Sequence, residues 1–361
     1  MSGDSAGLQP RKALSALGRY TPGKKLPGTV KLSSNENPLG SSPRALEALQ
    51  EALGGLSRYP DGSATALRTA LAERFSVALD EVLVGNGSDE LMMLAAGAYI
   101  EPGCNAVVGA HTFSQYEFVT RVFGGEVRVA EMPDGCFNLE TMRQRIDAHT
   151  RLLFLCNPNN PTGRYIGEHD LARFLERIPP HVLVVLDEAY AEYAEARDFP
   201  HGVELLKRFA NLLVLRTYSK IYGLAGLRVG YGFSSPAVID ALARVKQPFT
   251  VGNLAQAGAI AALEDEEFIA RSLETNRAGK AELYDALQRL GIAFYPSEAN
   301  FVCVLLQAAA EIAAEVMQQH GVTVRTLDSF GMPHALRITI GTAEQNAMVI
   351  TGLEALQRRT E

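Results

Sequence analysis

Leu152-Leu-Phe-Leu-Cys156-Asn-Pro-Asn-Asn160-Pro-Thr-Gly163 is the stretch that decides the fold. An unbroken apolar run is what a strand buried on both faces needs, and the Asn-Pro turn closes it. Two other stretches are built alike. Val182–Leu186 runs into Asp187-Glu-Ala-Tyr190, and Leu212–Leu215 runs into Arg216-Thr217-Tyr-Ser219-Lys220. Helical patterns separate them, so they predict an α/β fold with a mostly parallel sheet sandwiched by helices.

Outward from this centre, Val82–Val84, Ala106–Val108 and Val229–Phe233 supply further strands. Ser42-Pro43 opens a helix with Leu46, Leu49 and Leu53 on one face, and another covers about 63–76. A long helical region spans about 254–290. Strands near 300–305, 322–325 and 335–340, with helices at 309–319 and after a Thr342–Gln345 capping box, predict a smaller α+β unit. The expected division is an arm at 1–40, a large domain at 41–252 and a small domain at 253–361.

In an open parallel sheet, ligands lie beyond the carboxyl ends of the strands. Those ends deliver Asn160, then Asp187 with Tyr190, then Lys220 flanked by Thr217 and Ser219. Val82–Val84 leads into Gly85-Asn-Gly87-Ser88-Asp89-Glu90, the start of a helix whose amino end can bind an anion. Pyridoxal phosphate asks for all of these together. Its aldehyde needs an amine, Lys220; its pyridine nitrogen needs a buried carboxylate, Asp187; its phenolic oxygen needs Asn160 and Tyr190. Its phosphate suits the amides and hydroxyl at Gly87, Ser88 and Asp89, the hydroxyls of Thr217 and Ser219, and the fork of Arg228. The carboxylate of Asp89 is expected to turn away, leaving only a backbone contact.

Asn160-Pro-Thr-Gly163, Asp187-Glu-Ala-Tyr190, Ser219-Lys220 and Arg228 resemble the signature of aminotransferases of the aspartate aminotransferase fold. Ser33-Ser-Asn35-Glu-Asn37-Pro-Leu-Gly40, Arg58-Tyr59-Pro60, Leu224–Arg228 and Leu336-Arg337-Ile-Thr-Ile-Gly341-Thr342 resemble, in order, blocks of the histidinol-phosphate aminotransferase family. The similarity covers nearly the whole chain and implies a seven-stranded sheet in the large domain. It implies that Phe113 stacks on the cofactor ring, where the family more often has tyrosine. It further implies that Tyr59 reaches the phosphate across a homodimer interface and that Arg337 clamps the carboxylate of glutamate. Tyr20 and Arg325 would hold the phosphate of histidinol phosphate, and Asn35 would lie beside the substrate. The implied reaction carries an amino group from histidinol phosphate to 2-oxoglutarate. An aromatic amino acid aminotransferase, a phosphothreonine-type decarboxylase and a cofactor-binding regulator without turnover are the alternatives.

Taken singly, these residues read differently. Most lysines are solvated, an Asp at a strand end is often a cap, and an Asn-Pro pair is often a plain turn. The arrangement gives them their meaning.

The 361 residues carry a net charge of −7 without long like-charge blocks, which argues against nucleic acid or an anionic membrane as partner. No apolar stretch approaches a membrane span, and the four cysteines show no paired spacing, as in a reduced cytoplasmic protein. The seven histidines lack metal-ligand spacing, so no metal is expected. Gly18–Lys25 mimics a nucleotide phosphate loop, but no strand precedes it and Lys25 stands where Ser or Thr is required.

Overall fold

A computed structural model of the chain describes residues 8–14, 17–18 and 27–360. In chain order its strands are β1 (Val30–Lys31), β2 (Val82–Gly85), β3 (Asn105–Gly109), β4 (Glu126–Ala130), β5 (Thr150–Cys156), β6 (Leu183–Asp187), β7 (Leu212–Thr217) and β8 (Gly230–Ser234). They continue with β9 (Ala293–Tyr295), β10 (Phe301–Leu305), β11 (Val322–Thr323), β12 (Arg325–Leu327) and β13 (Met332–Thr339).

The main sheet has seven strands in the order β2-β8-β7-β6-β5-β3-β4. All neighbours pair in parallel except β8, which is antiparallel to both β2 and β7. The apolar runs are buried on both faces, as their lack of alternation requires. Leu153, Leu155, Val184, Leu186 and Val214 enter one core. Leu152, Phe154, Val185, Leu213 and Leu215 enter the other. β4 was not anticipated: it is the sheet's edge, its pattern is half polar, and Val129 stays 46% exposed.

The second sheet, β12-β13-β10-β9, is antiparallel throughout. Its core takes in Val302, Val304, Leu336 and Ile338 together with Leu32 of the amino-terminal segment. That segment is tied down by β1, which pairs with β11. The helix after Thr342 has its capping box: Thr342 N–H donates to Gln345 Oε1 (3.1 Å), and Gln345 N–H donates to Thr342 Oγ1 (3.4 Å).

The structure refines the reading of two helical regions. In Pro43–Ala52, capped by Ser42, the buried residue is Ala45, while Leu46 and Leu53 are 48% and 52% exposed. The helix packs against Asn253–Leu263 with Leu49 set against Gly258, while Leu46 and Leu53 point outward. The region 254–290 is two helices, Asn253–Leu263 and Glu266–Arg289, because Asp265 caps the second by accepting from Phe268 N–H (3.2 Å). Ala255, Ala259, Ala262 and Leu263 pack in the large-sheet core, whereas Leu283 and Leu287 pack in the small one. The longer helix passes from one core to the other, since its Ile269 and Leu273 pack against the large-sheet core.

Candidate active site

Sheet register explains why distant residues meet. Gly230 pairs with Gly85 on one side and with Thr217 on the other. Because β8 runs backwards, its amino end lies at the carboxyl ends of β2 and β7. Arg228 is thus delivered to the same rim as Asn160, Asp187 and Lys220. A cavity of about 220 Å³ opens there, and all four line it. Asn35, Ser88, Asp89, Phe113, Tyr190, Thr217, Ser219, Arg325 and Arg337 line it as well.

At its floor, Asp187 is 2% exposed. Its Oδ2 accepts from the Tyr116 hydroxyl (2.7 Å) and its Oδ1 from Ala189 N–H (3.1 Å), both uncharged donors. Burial pushes the carboxyl up to about 6, against the pull of those hydrogen bonds. Phe113 meets Tyr116 edge to face at 5.7 Å.

Lys220 is enclosed too. Burial, then the nearby Arg337, brings its amine down to about 8. Its Nζ donates to the Ser34 carbonyl (3.2 Å) and lies 5.5 Å from the centre of the Tyr190 ring. The Tyr190 hydroxyl accepts from Asn35 Nδ2 (2.9 Å), which leaves its own proton to donate elsewhere. Asn160 accepts through Oδ1 from Arg337 Nη1 (2.5 Å), which fixes the carboxamide and leaves its NH₂ as donor.

The other end is an anion cradle. Arg228, in the left-handed region at φ +54°, donates from Nη1 to Ser219 Oγ (3.3 Å). The helix Gly87–Tyr99 starts alongside, and a Cβ on Gly230 would stand 2.2 Å from Ser88 N. Only glycine lets strand and helix approach this closely. Gly87 itself is not in the cavity lining; its Cα faces the Arg228 guanidinium. One expectation fails here. The Asp89 carboxylate does not turn away: its Oδ2 is 3.4 Å from Arg228 Nη2, drawn there by the charge of that guanidinium.

Across the cavity, Arg325 on β12 pairs in register with Arg337 on β13. Arg337 is 6% exposed and donates from Nη2 to the Ser33 carbonyl (2.8 Å); Arg325 donates to Ser329 Oγ (3.3 Å). Tyr59 stands apart, 83% exposed and stacked on Phe249 at 4.9 Å. Tyr20 lies outside the described residues. Sequence reasoning missed Tyr116, which donates to Asp187, and Phe330, which lines the cavity. Tyr116 follows Phe113 by one helical turn, a spacing that could have pointed to a shared face; Phe330 gave no signal.

These features fit a pyridine ring bearing a phosphate. Among the described residues the buried acid has no cation within hydrogen-bond reach, the amine is partly deprotonated, and the glycine cradle beside Arg228 leaves room for an anion.

The comparisons agree. The family described as aminotransferase class I and II matches residues 27–353. The chain is 46% identical to "Histidinol-phosphate aminotransferase 2" of Pseudomonas fluorescens strain Pf0-1, covering 99% of this chain and 100% of that protein. It is 43% identical to the histidinol-phosphate aminotransferase of Bacillus subtilis strain 168, covering 94% and 97%. Among solved structures, the histidinol-phosphate aminotransferase of Sinorhizobium meliloti in complex with pyridoxal-5'-phosphate superposes with a TM-score of 0.91 at 26% identity, covering 99% and 100%. The aspartate aminotransferase of Thermus thermophilus with maleate gives 0.81 at 25%, covering 91% of each chain. The chain belongs to the class I and II aminotransferases, among the histidinol-phosphate aminotransferases of that family.

Proposed function

We propose that this aminotransferase uses pyridoxal 5'-phosphate to move the amino group of histidinol phosphate to 2-oxoglutarate, yielding imidazole acetol phosphate and glutamate. One observation carries the substrate: Arg325 sits directly opposite Arg337 on neighbouring strands, and both line the cavity. Like charges placed so repel each other, and an anionic substrate relieves this. A second anion site at Arg228 remains for the cofactor phosphate.

When bound, pyridoxal 5'-phosphate supplies an aldehyde that condenses with amines and a protonated ring that absorbs an electron pair. In this reading Lys220 anchors the aldehyde, and its freed neutral amine then moves the proton from the substrate's amine-bearing carbon. Asp187 holds the proton on the ring nitrogen. Asn160 and Tyr190 donate to the phenolic oxygen, and Phe113 packs on the ring. Gly87, Ser88 and Asp89 through their backbone, with Thr217, Ser219 and Arg228, hold the phosphate. Asn35, Arg325 and Arg337 receive the substrate, and Tyr20 joins them as the resemblance implies.

A homodimer is part of the proposal, with Tyr59 reaching the partner's phosphate site. Its support is the exposure of Leu46, Leu53, Leu56 and Phe249, the last stacked on that tyrosine. The proposed division is an arm at 1–40, a large cofactor-holding unit at 41–252 and a small carboxy-terminal unit at 253–361. The proposed compartment is the cytoplasm, which the four free cysteines suit.

The test is a substrate panel on wild type and Arg325→Ala. Histidinol phosphate should be the preferred donor, and the substitution should raise its KM about tenfold or more while sparing that of glutamate, as loss of a charged contact would. Preference for phenylalanine or tyrosine, or equal effects on both substrates, would refute the assignment.

A further inference from the structure

We infer that Tyr116 is a positioning residue for the ring-binding acid: its hydroxyl keeps Asp187 ionised and aimed, and its ring braces Phe113. The inference rests on the assignment of Asp187 to the ring nitrogen.

Tyr116 is fully buried on the helix Gln115–Val122. Its ring lies 4.8 Å from that of Phe154, nearly parallel at 12°, and meets Phe113 edge-on at 86°. Held between those two rings, the phenol has little freedom to swing away. Its O–H donates to Asp187 Oδ2 at 2.7 Å. With Ala189 N–H on Oδ1, that bond fixes the rotation of the carboxylate and leaves the remaining lone pairs for a ligand.

The ionisable groups around Asp187 do not replace this donor. Cys156 on β5 donates its S–H to the Pro158 carbonyl (3.3 Å). Tyr190, after β6, accepts from Asn35 and is not among the donors to Asp187 in the described residues. Asp89 repels the charge, and Lys220, after β7, acts on it only at a distance. Burial therefore favours the neutral acid, and the Tyr116 hydroxyl is the side-chain donor opposing it. Burial also drives the phenol's own ionisation well upward, so it stays a donor at every working pH.

The experiment is carboxyl-carbon NMR on the full-length, cofactor-free protein, with Asp187→Asn to identify the resonance. Tyr116→Phe should move the Asp187 midpoint up by about one to two units, the worth of one hydrogen bond to a charged group. Placing 3-fluorotyrosine at 116 strengthens the donor without changing the shape and should move the midpoint down. In parallel, cofactor affinity of Tyr116→Phe should fall about tenfold, and kcat should fall with the donor KM held. Unchanged midpoints in both variants overturn the inference, whatever happens to stability. If Tyr116→Phe does not fold, the fluorinated protein decides alone. Retention of cofactor by Asp187→Asn at wild-type affinity would instead overturn the assignment of Asp187.

Discussion

Asp187 and Lys220 are both driven toward their uncharged forms by enclosure, and opposite pH dependences follow. Asp187 ionises at about 6 in the folded chain and near 3.8 when unfolded. Between those values the folded state binds more protons, so its stability falls as pH rises, and above about 6 the burden is complete. Asp187→Asn removes that burden. Without cofactor, the variant should melt above wild type at pH 7, with the gap closing toward pH 4 in calorimetry. A constant gap would contradict the burial argument. Lys220, lowered from 10.5 to about 8, becomes a nucleophile as pH rises through 8. Condensation with cofactor aldehyde should accelerate through that window and level off. Lys220→Ala should still bind cofactor yet give no adduct after borohydride reduction and lose transamination by several orders of magnitude. At this scale the acid, the amine and the carboxamide were legible because polar side chains at the ends of buried strands have few structural reasons to be there. Tyr116 was not, since an aromatic at a helical spacing looks like core until its hydroxyl is located. The turn of Asp89 toward Arg228 depends on a neighbour 139 positions away and leaves no local trace.

At the scale of elements, the sheet is fastened behind the site by an ion pair. Arg216 on β7 donates twice to Glu188 Oε2, at 3.0 and 2.8 Å, and the Glu188 side chain is fully buried. Glu188 follows Asp187 and Arg216 precedes Thr217, so this bond aligns the two strand ends that carry site residues. Arg216→Met strands a buried carboxylate and should destabilise the fold by about 3–5 kcal/mol. Arg216→Met with Glu188→Gln should recover much of that in denaturant titrations; additive losses would show that the pair is not coupled. Gly230→Ala should weaken cofactor binding and lower the melting temperature together, because its methyl would press on the backbone of the helix amino end beside β8. The buried parallel strands could be read from sequence, whereas the direction of β8 could not. An apolar run carries no sign of polarity, and only pairing with both β2 and β7 fixes it.

For the whole molecule, the outward leucines of helix Pro43–Ala52 set the expected assembly. Leu56 at 60%, Tyr59 at 83% and Phe249 at 44% are exposed as well, the last two stacked on each other. Leu46→Glu with Leu53→Glu should yield a monomer on size exclusion, with cofactor lost on dilution; an active monomer would remove Tyr59 from its proposed place. Reading those leucines as one face was sound, but sequence alone could not say whether that face meets its own chain or a second one. Arg337 carries one more consequence. Its guanidinium is already bonded to the Asn160 side chain and the Ser33 carbonyl before any substrate arrives. A guanidinium has five N–H donors, so a visiting carboxylate meets a fork already aimed by the arm and the Asn-Pro turn, and little has to be reordered when it binds.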